Sequence, residues 1–228
     1  VTVMPGQQYR ITLTVDEAFL TDPNTLYPVT VDPTLEVSDS THGAGAIEDA
    51  PVYEGSPTSN FGSYQYNRAG YAGTPLKRGR TAVRLKGLLN DSAYQNVTAE
   101  QINSVKFYMT EASGTSGVTV NIHPITENSA WAESSITWNS TPTHASASSA
   151  SATPSGGAVA EFDITILAQG WKLGLYNYGQ NGFLMIGASE ATADKSLCSS
   201  EFATASKRPY VEVVYSGLLN HTYLELDK

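Results

Sequence analysis

Short stretches in which apolar and polar residues alternate, separated by turn-forming residues, constrain the fold of this chain most strongly. A period of two places every second side chain on the same face, as in a half-buried β-strand. Nine candidate strands are present: 9–15, 80–86, 104–110 and 118–122, which alternate, and 26–31, 47–53, 158–162, 182–187 and 209–215. Many short strands of this kind predict an all-β fold, a jelly-roll-like antiparallel β-sandwich with a short N-terminal β appendage.

Helical signals are few. Thr98 and Gln101 have the spacing of a capping box, which predicts one helical turn after Thr98. Ile164, Leu167 and Trp171 recur at helical spacing, which predicts a turn or two with these side chains facing the core.

The predicted domain organisation has four parts. Residues 1–37 are interpreted as the end of a preceding β unit, and the small polar residues of 38–46 as a linker. The sandwich is expected to span 47–216, followed by a C-terminal tail at 217–228. No signal peptide is visible, so we expect the chain to be part of a longer polypeptide.

Charge and apolar content exclude several functions. The formal net charge is −9, which disfavours nucleic acid, since phosphate binding needs clustered Lys and Arg. The basic cluster 77–80 is interpreted as a solvated strand start. No apolar run reaches the ~20 residues of a membrane span. Cys198 is the single cysteine, so neither a disulfide nor a cysteine-based zinc site is expected.

The segment 131–142 contains two of the three tryptophans and ends at a proline. Residues 134–137 are expected to be extended, and 139–142 to form a turn. The favoured interpretation is that Trp131 and Trp138 clamp a long loop to the β core, and the alternative is an exposed sugar-stacking platform. Glu133 could accept a hydrogen bond from an indole or a loop amide.

Four separated pieces of the sequence, taken in order, resemble the DNRLRE domain family of bacterial and archaeal surface proteins, which is related to carbohydrate-binding modules. The pieces are Asp49–Tyr53 with Gly55–Gly62; Trp131–Pro142; Phe162–Thr165 with Trp171, Gly174 and Asn177–Gly179; and Ser200–Phe202 with Arg208–Val213. The resemblance covers about 47–215. It departs at Pro51, which interrupts the opening strand, and at Ser200–Phe202, which matches only loosely.

The N-terminal residues add context to this resemblance. Residues 18–20 and 27–34 are similar to the segment that precedes such domains in large RHS-repeat and wall-associated proteins. The resemblance therefore implies a non-catalytic section of a larger extracellular protein, either secreted or at the cell surface.

Catalytic chemistry finds little support in the sequence. There is no Gly-x-Ser-x-Gly elbow, and the four histidines are scattered without metal-ligand spacing. Glycosidase chemistry needs two paired carboxylates. Several acids are available, but the sequence cannot pair them: Asp49, Glu54, Glu111, Glu133, Asp163 and Glu190. No catalytic residue is predicted, and a hydrolase remains the weakest hypothesis.

Calcium is the candidate metal, because oxygen-rich loops of β-sandwich modules often hold it. Asp49 and Asp163 occupy positions typical of the resembled family, so they are the candidate ligands. The alternative for Asp163 is a helix cap, and for Asp49 a plain turn acceptor.

Tyr64, Tyr66, Arg68 and Tyr71 are the candidate glycan-binding residues. Tyrosine rings stack on sugar faces, while a guanidinium binds hydroxyls. On a strand, Tyr64 and Tyr66 would share a face, and that face could equally be the core. We therefore expect a module that binds glycan or cell-wall polysaccharide beside neighbouring domains of its parent chain. The alternative is a structural spacer of an RHS-type protein without a small ligand.

Overall fold

The computed structural model describes residues 2–4, 8–10, 22, 34–128 and 130–216. The chain divides into two compact units, 1–31 and 32–228. In the first unit, β1 (Thr2–Met4) and β2 (Gln8–Arg10) pair antiparallel. Most of the strands predicted at 9–15 and 26–31, and the tail predicted at 217–228, lie outside the described residues.

The second unit is a β-sandwich, as the alternating pattern predicts. Its strands in the described residues are β3 (Thr34–Val37), β4 (Glu48–Tyr53), β5 (Tyr66–Tyr71), β6 (Arg78–Arg84), β7 (Ile102–Gly114), β8 (Val120–Pro124), β9 (Ala150–Ala152), β10 (Val159–Asp163), β11 (Phe183–Gly187), β12 (Asp194–Cys198) and β13 (Tyr210–Tyr215). Every pairing between them is antiparallel.

Strand β7 belongs to both layers. Its first part pairs with β13 on one edge and β10 on the other, and β13 also pairs with β3. Its last part pairs with β12, the first strand of the second layer, in the order β12-β5-β6-β11-β8-β9. Strand β4 pairs with β6. The 13-residue length of β7 therefore joins the two layers.

The main core lies between the layers. Val105, Phe107 and Met109 alternate along β7 and are fully buried, as the sequence predicts. Phe107 packs edge-on against Phe183 of β11, with ring centroids 5.4 Å apart. Together these contacts explain why the alternating stretches pair into two facing layers: burying one face of each strand supplies the main stabilisation.

Within the part of the chain that the structure describes, four short α-helices accompany the sheets: α1 (Asp39–His42), α2 (Lys86–Asn90), α3 (Ser92–Asn96) and α4 (Thr165–Lys172). The capping box predicted at Thr98 is confirmed, and Ala99–Gln101 forms one 3₁₀ turn behind it. In α4, Leu167 and Trp171 are buried, as their spacing predicts. Among the described residues, no helix has the length and apolar character needed to cross a membrane.

The N-terminal border of the sandwich differs from the predicted one. Strand β3 pairs with β13, and Asp39 begins a helix and accepts hydrogen bonds from the amides of Ala46 and Ile47. The residues assigned to a preceding unit and a linker from Thr34 onward are therefore part of the sandwich. Small polar residues were interpreted as a linker because a short edge strand and a one-turn helix leave almost no periodic signal.

The segment 131–142 clamps the outer side of the second layer. Trp131 is buried, and its indole N–H donates to the carbonyl oxygen of Asn181 at 2.9 Å. The extended piece predicted at 134–137 is wrong: 133–135 form a turn, and Trp138–Ser140 form a 3₁₀ turn. Side-chain and turn hydrogen bonds within the loop replace strand pairing.

Candidate functional site

Three carboxylates from distant parts of the chain meet beside β4. Asp49 lies on β4, Glu133 two residues after Trp131, and Glu201 in the turn after β12. One oxygen from each lies within 4.8 Å of the others. Asp49 is fully buried, while Glu133 and Glu201 are half-buried. We call these three residues the acidic cluster.

The surrounding backbone fixes the acidic cluster. The amide of Asp49 donates to Oε1 of Glu133 at 2.8 Å, and the amide of Ser200 donates to Oδ2 of Asp49 at 3.0 Å. The side chain of Asn60 donates to the carbonyl oxygens of Glu133 and Ile136 and so holds the loop in place. At position 62 a Cβ would lie 2.1 Å from the Glu133 carbonyl oxygen, so this close approach requires glycine.

Several polar atoms at the acidic cluster have no hydrogen-bonding partner among the described residues. They are Oδ1 of Asp49, Oε2 of Glu201, and both the amide oxygen and the amide nitrogen of Asn67. Asn67 lies on β5, is fully buried, and its amide is close enough to Asp49 to lower that carboxyl's pKa. Buried polar groups are normally satisfied, so these atoms call for an explanation.

Electrostatics at the acidic cluster oppose ionisation. Burial and then the charge of Glu201 raise the pKa of Asp49 well above its usual range. Burial is also the main cause that raises the pKa of Glu133 to about 7, with further contributions from Glu201, Glu48 and Asp39. These three contributing charges are carboxylates, and no Lys, Arg or His among the described residues forms an ion pair with the acidic cluster.

Asp163, the other predicted metal ligand, lies outside the acidic cluster. Its carboxylate accepts hydrogen bonds from the amide and the hydroxyl of Thr165, the first residue of α4, at 3.0 and 2.6 Å. These bonds lower the pKa of Asp163. The arrangement matches the capping alternative, in which a side-chain oxygen satisfies a free N–H at the start of a helix.

A shallow groove lies on the outer face of β5 and β12. Arg68 is opposite Ser196 and Tyr66 is opposite Cys198 in the register of these strands, so their side chains share a face. The groove has a volume of about 280 Å³, and Phe202 and Lys207 also line it. We call it the Tyr66 groove.

The Tyr66 groove combines an aromatic surface with polar groups. Tyr66 is 44% exposed, and its ring meets Phe202 edge-on with centroids 5.5 Å apart. Arg68 forms an ion pair with Asp194, which fixes its guanidinium at the groove. Lys207 is exposed and forms no ion pair with the described residues.

The other two predicted glycan-binding residues do not line the Tyr66 groove. Tyr64 precedes β5, is 49% exposed and packs edge-on against Phe61. Tyr71 ends β5 and is half-buried opposite Arg78. The structure therefore brings together Tyr66 and Arg68 of the four, because only these two lie on the strand with their side chains on its outer face.

Sequence reasoning placed Asp49 at a metal site but did not connect it with Glu133, Glu201 or Asn67. A usable signal was present. Three of the four pieces that carry the family resemblance each contain one acid of the acidic cluster. Sequence reasoning also treated the histidines as scattered, whereas the rings of His123 and His144 lie 5.4 Å apart.

Comparison with known proteins agrees with this architecture. The chain is similar over 220 residues, or 91% of its length, to two nucleases. It is 30% identical to the tRNA nuclease WapA of Bacillus subtilis strain 168 and 27% identical to the tRNA3(Ser)-specific nuclease WapA of Bacillus spizizenii. It spans only 9% of the length of each. The model of carbohydrate-binding module family 96 matches residues 41–215, which is most of the chain, and the chain therefore belongs to that family.

Proposed function

We propose that this chain is a non-catalytic glycan-binding module of a larger extracellular protein, secreted or held at the cell surface. Its ligand is a glycan at or near the cell wall, and it binds in the Tyr66 groove. The observation that carries the proposal is the exposed ring of Tyr66 beside the fixed guanidinium of Arg68, in a member of a carbohydrate-binding family.

The chemistry of the Tyr66 groove suits a sugar. An exposed aromatic ring offers an apolar face to the axial C–H groups of a pyranose, and pairing with Phe202 limits its rotation. Arg68 and the exposed Lys207 supply donors for hydroxyl groups at the same face. A shallow groove with few apolar contacts favours a chain of sugar units over an enclosed small molecule.

The relatives' names raise nuclease activity as a second function. That activity is stated for proteins of which this chain spans 9% or less, and we do not extend it to this module. The acidic cluster supports the non-catalytic proposal, since Asp49 is fully buried and closed to a polymeric substrate. A spacer of an RHS-type protein, in keeping with the DNRLRE resemblance, is the competing proposal.

Affinity electrophoresis of the full chain tests the proposal. Native gels would contain wall polysaccharides, neutral β-glucans or uronate-rich polysaccharides, the last because Lys207 could pair with a carboxylate. We expect one class to retard the wild type and Tyr66→Ala to weaken binding about tenfold, or about 1.4 kcal/mol. The loss arises because alanine removes the stacking surface without touching the core.

Tyr210→Ala is the matched control for Tyr66→Ala. Tyr210 stacks on Tyr108 on the first layer and does not line the Tyr66 groove. The Tyr210→Ala variant should bind polysaccharide as the wild type does. Unfolding transitions like that of the wild type would show that both variants fold. Equal mobility of all three proteins on every polysaccharide would favour the spacer.

A further inference from the structure

The acidic cluster has the donor set of a cation site. Three carboxylates converge within 4.8 Å, and the amide of Asn67 lies beside Asp49. Oδ1 of Asp49 and Oε2 of Glu201 point at no hydrogen-bond donor among the described residues. Such an arrangement is costly without a positive charge, since buried carboxylates repel one another and lose their hydration.

No cationic side chain of the described residues neutralises the acidic cluster. Arg84 lies opposite Glu48 in the pairing of β6 with β4. Both Arg84 and Lys86 form ion pairs with Glu48. No Lys, Arg or His among the described residues forms an ion pair with Asp49, Glu133 or Glu201. The unpartnered carboxylate oxygens are therefore available to an ion from solution.

We infer that Asp49, Glu133 and Glu201, with the amide oxygen of Asn67, bind one calcium ion. The donors are all oxygens, which suits a hard cation and excludes a preference for soft metals. Calcium is favoured over magnesium because it accepts six to eight oxygen ligands in irregular geometry, whereas magnesium keeps several waters in a strict octahedron. Solvent can complete the coordination on the side of the half-buried Glu133 and Glu201.

Asn67 distinguishes this site from a chance group of acidic residues. Asn67 is fully buried on β5, and neither of its amide atoms has a partner among the described residues. A bound cation would take the amide oxygen as a ligand. The ion would also hold together β4, β5, the loop after Trp131 and the turn that carries Phe202, the aromatic wall of the Tyr66 groove.

Calorimetry and thermal unfolding of the full chain, stripped with EDTA, test the inference. We expect one calcium ion to bind per chain, more tightly than magnesium. At calcium concentrations about 100 times Kd, the melting temperature should rise by about 5 °C or more. Glu201→Gln should weaken calcium binding at least tenfold, whereas Asp163→Asn, whose carboxylate lies outside the acidic cluster, should leave it unchanged.

The metal-free variant gives a second, independent readout. Because Glu201→Gln removes one of three converging negative charges, it should melt no lower than the wild type in EDTA but lower than the wild type in calcium. This reversal identifies a ligand, since a structural side chain would lower both melting temperatures. The inference would be overturned if the wild type showed neither heat of calcium binding nor a change in melting temperature. It would also be overturned by equal affinities for magnesium and calcium, or by equal effects of Glu201→Gln and Asp163→Asn on calcium binding.

Discussion

Lys195→Met is expected to lower the free energy of unfolding by about 3–5 kcal/mol, because it leaves a buried carboxylate without its partner. Lys195 lies on β12, is 1% exposed and forms an ion pair with Glu111 on β7. Burial by itself raises the pKa of Glu111, but hydrogen bonds from Lys195 and the amide of Gly157 outweigh it and lower the pKa. Urea unfolding of the full chain, followed by tryptophan fluorescence, measures the change.

The pair lies where β7 leaves the first layer and joins the second, so its loss affects the junction of both layers. The double variant Lys195→Met/Glu111→Leu is the control, since it removes both charges and should regain most of the lost stability. The penalty of the single variant should also shrink at acid pH, where Glu111 is protonated. A single variant as stable as the wild type, or a double variant no better than the single, would contradict this account.

Trp131→Ala is expected to destabilise the chain by about 3–5 kcal/mol, the usual cost of removing a buried tryptophan. Its ring fills a second apolar cluster on the outer side of the second layer, with Arg84 over the ring at 5.0 Å. Loss of the indole also removes the hydrogen bond to Asn181. Thermal or urea unfolding measures the change.

Trp138→Ala is the matched control for Trp131→Ala. Trp138 lies in the same loop but is only half-buried, beneath the guanidinium groups of Arg78 and Arg80. We expect it to cost about 1 kcal/mol, since the cation–π contacts of exposed rings are weak. Equal losses for the two tryptophans would show that the loop is not held to the sheet through Trp131.

The fold could be predicted because a strand that buries one face has an apolar residue at every second position, as along β7. Strand β12 was not predicted from this pattern. It carries Lys195, which is buried, whereas a lysine in a sequence normally indicates a solvent-facing position. Only its partner Glu111, 84 residues earlier, makes that burial tolerable.

The candidate sites show the same limit. Tyr66 and Arg68 were both among the predicted glycan-binding residues, and they lie two residues apart on one strand. The acidic cluster was not predicted, since Asp49 and Glu133 are 84 residues apart and meet only when the loop after Trp131 folds back on β4. Spacing along a chain predicts contacts within an element, whereas contacts between elements depend on how those elements pack.

In the proposed function, a sugar binds on the outer face of β5 and β12 and is not chemically altered. Backbone ¹⁵N–¹H spectra of the full chain, recorded during titration with the oligosaccharide unit of a retarded polysaccharide, test it most directly. We predict that the amide shifts concentrate at Tyr66, Arg68, Ser196 and Phe202, and that the sugar remains intact after prolonged incubation. Shifts confined to another surface, or cleavage of the sugar, would contradict the claim.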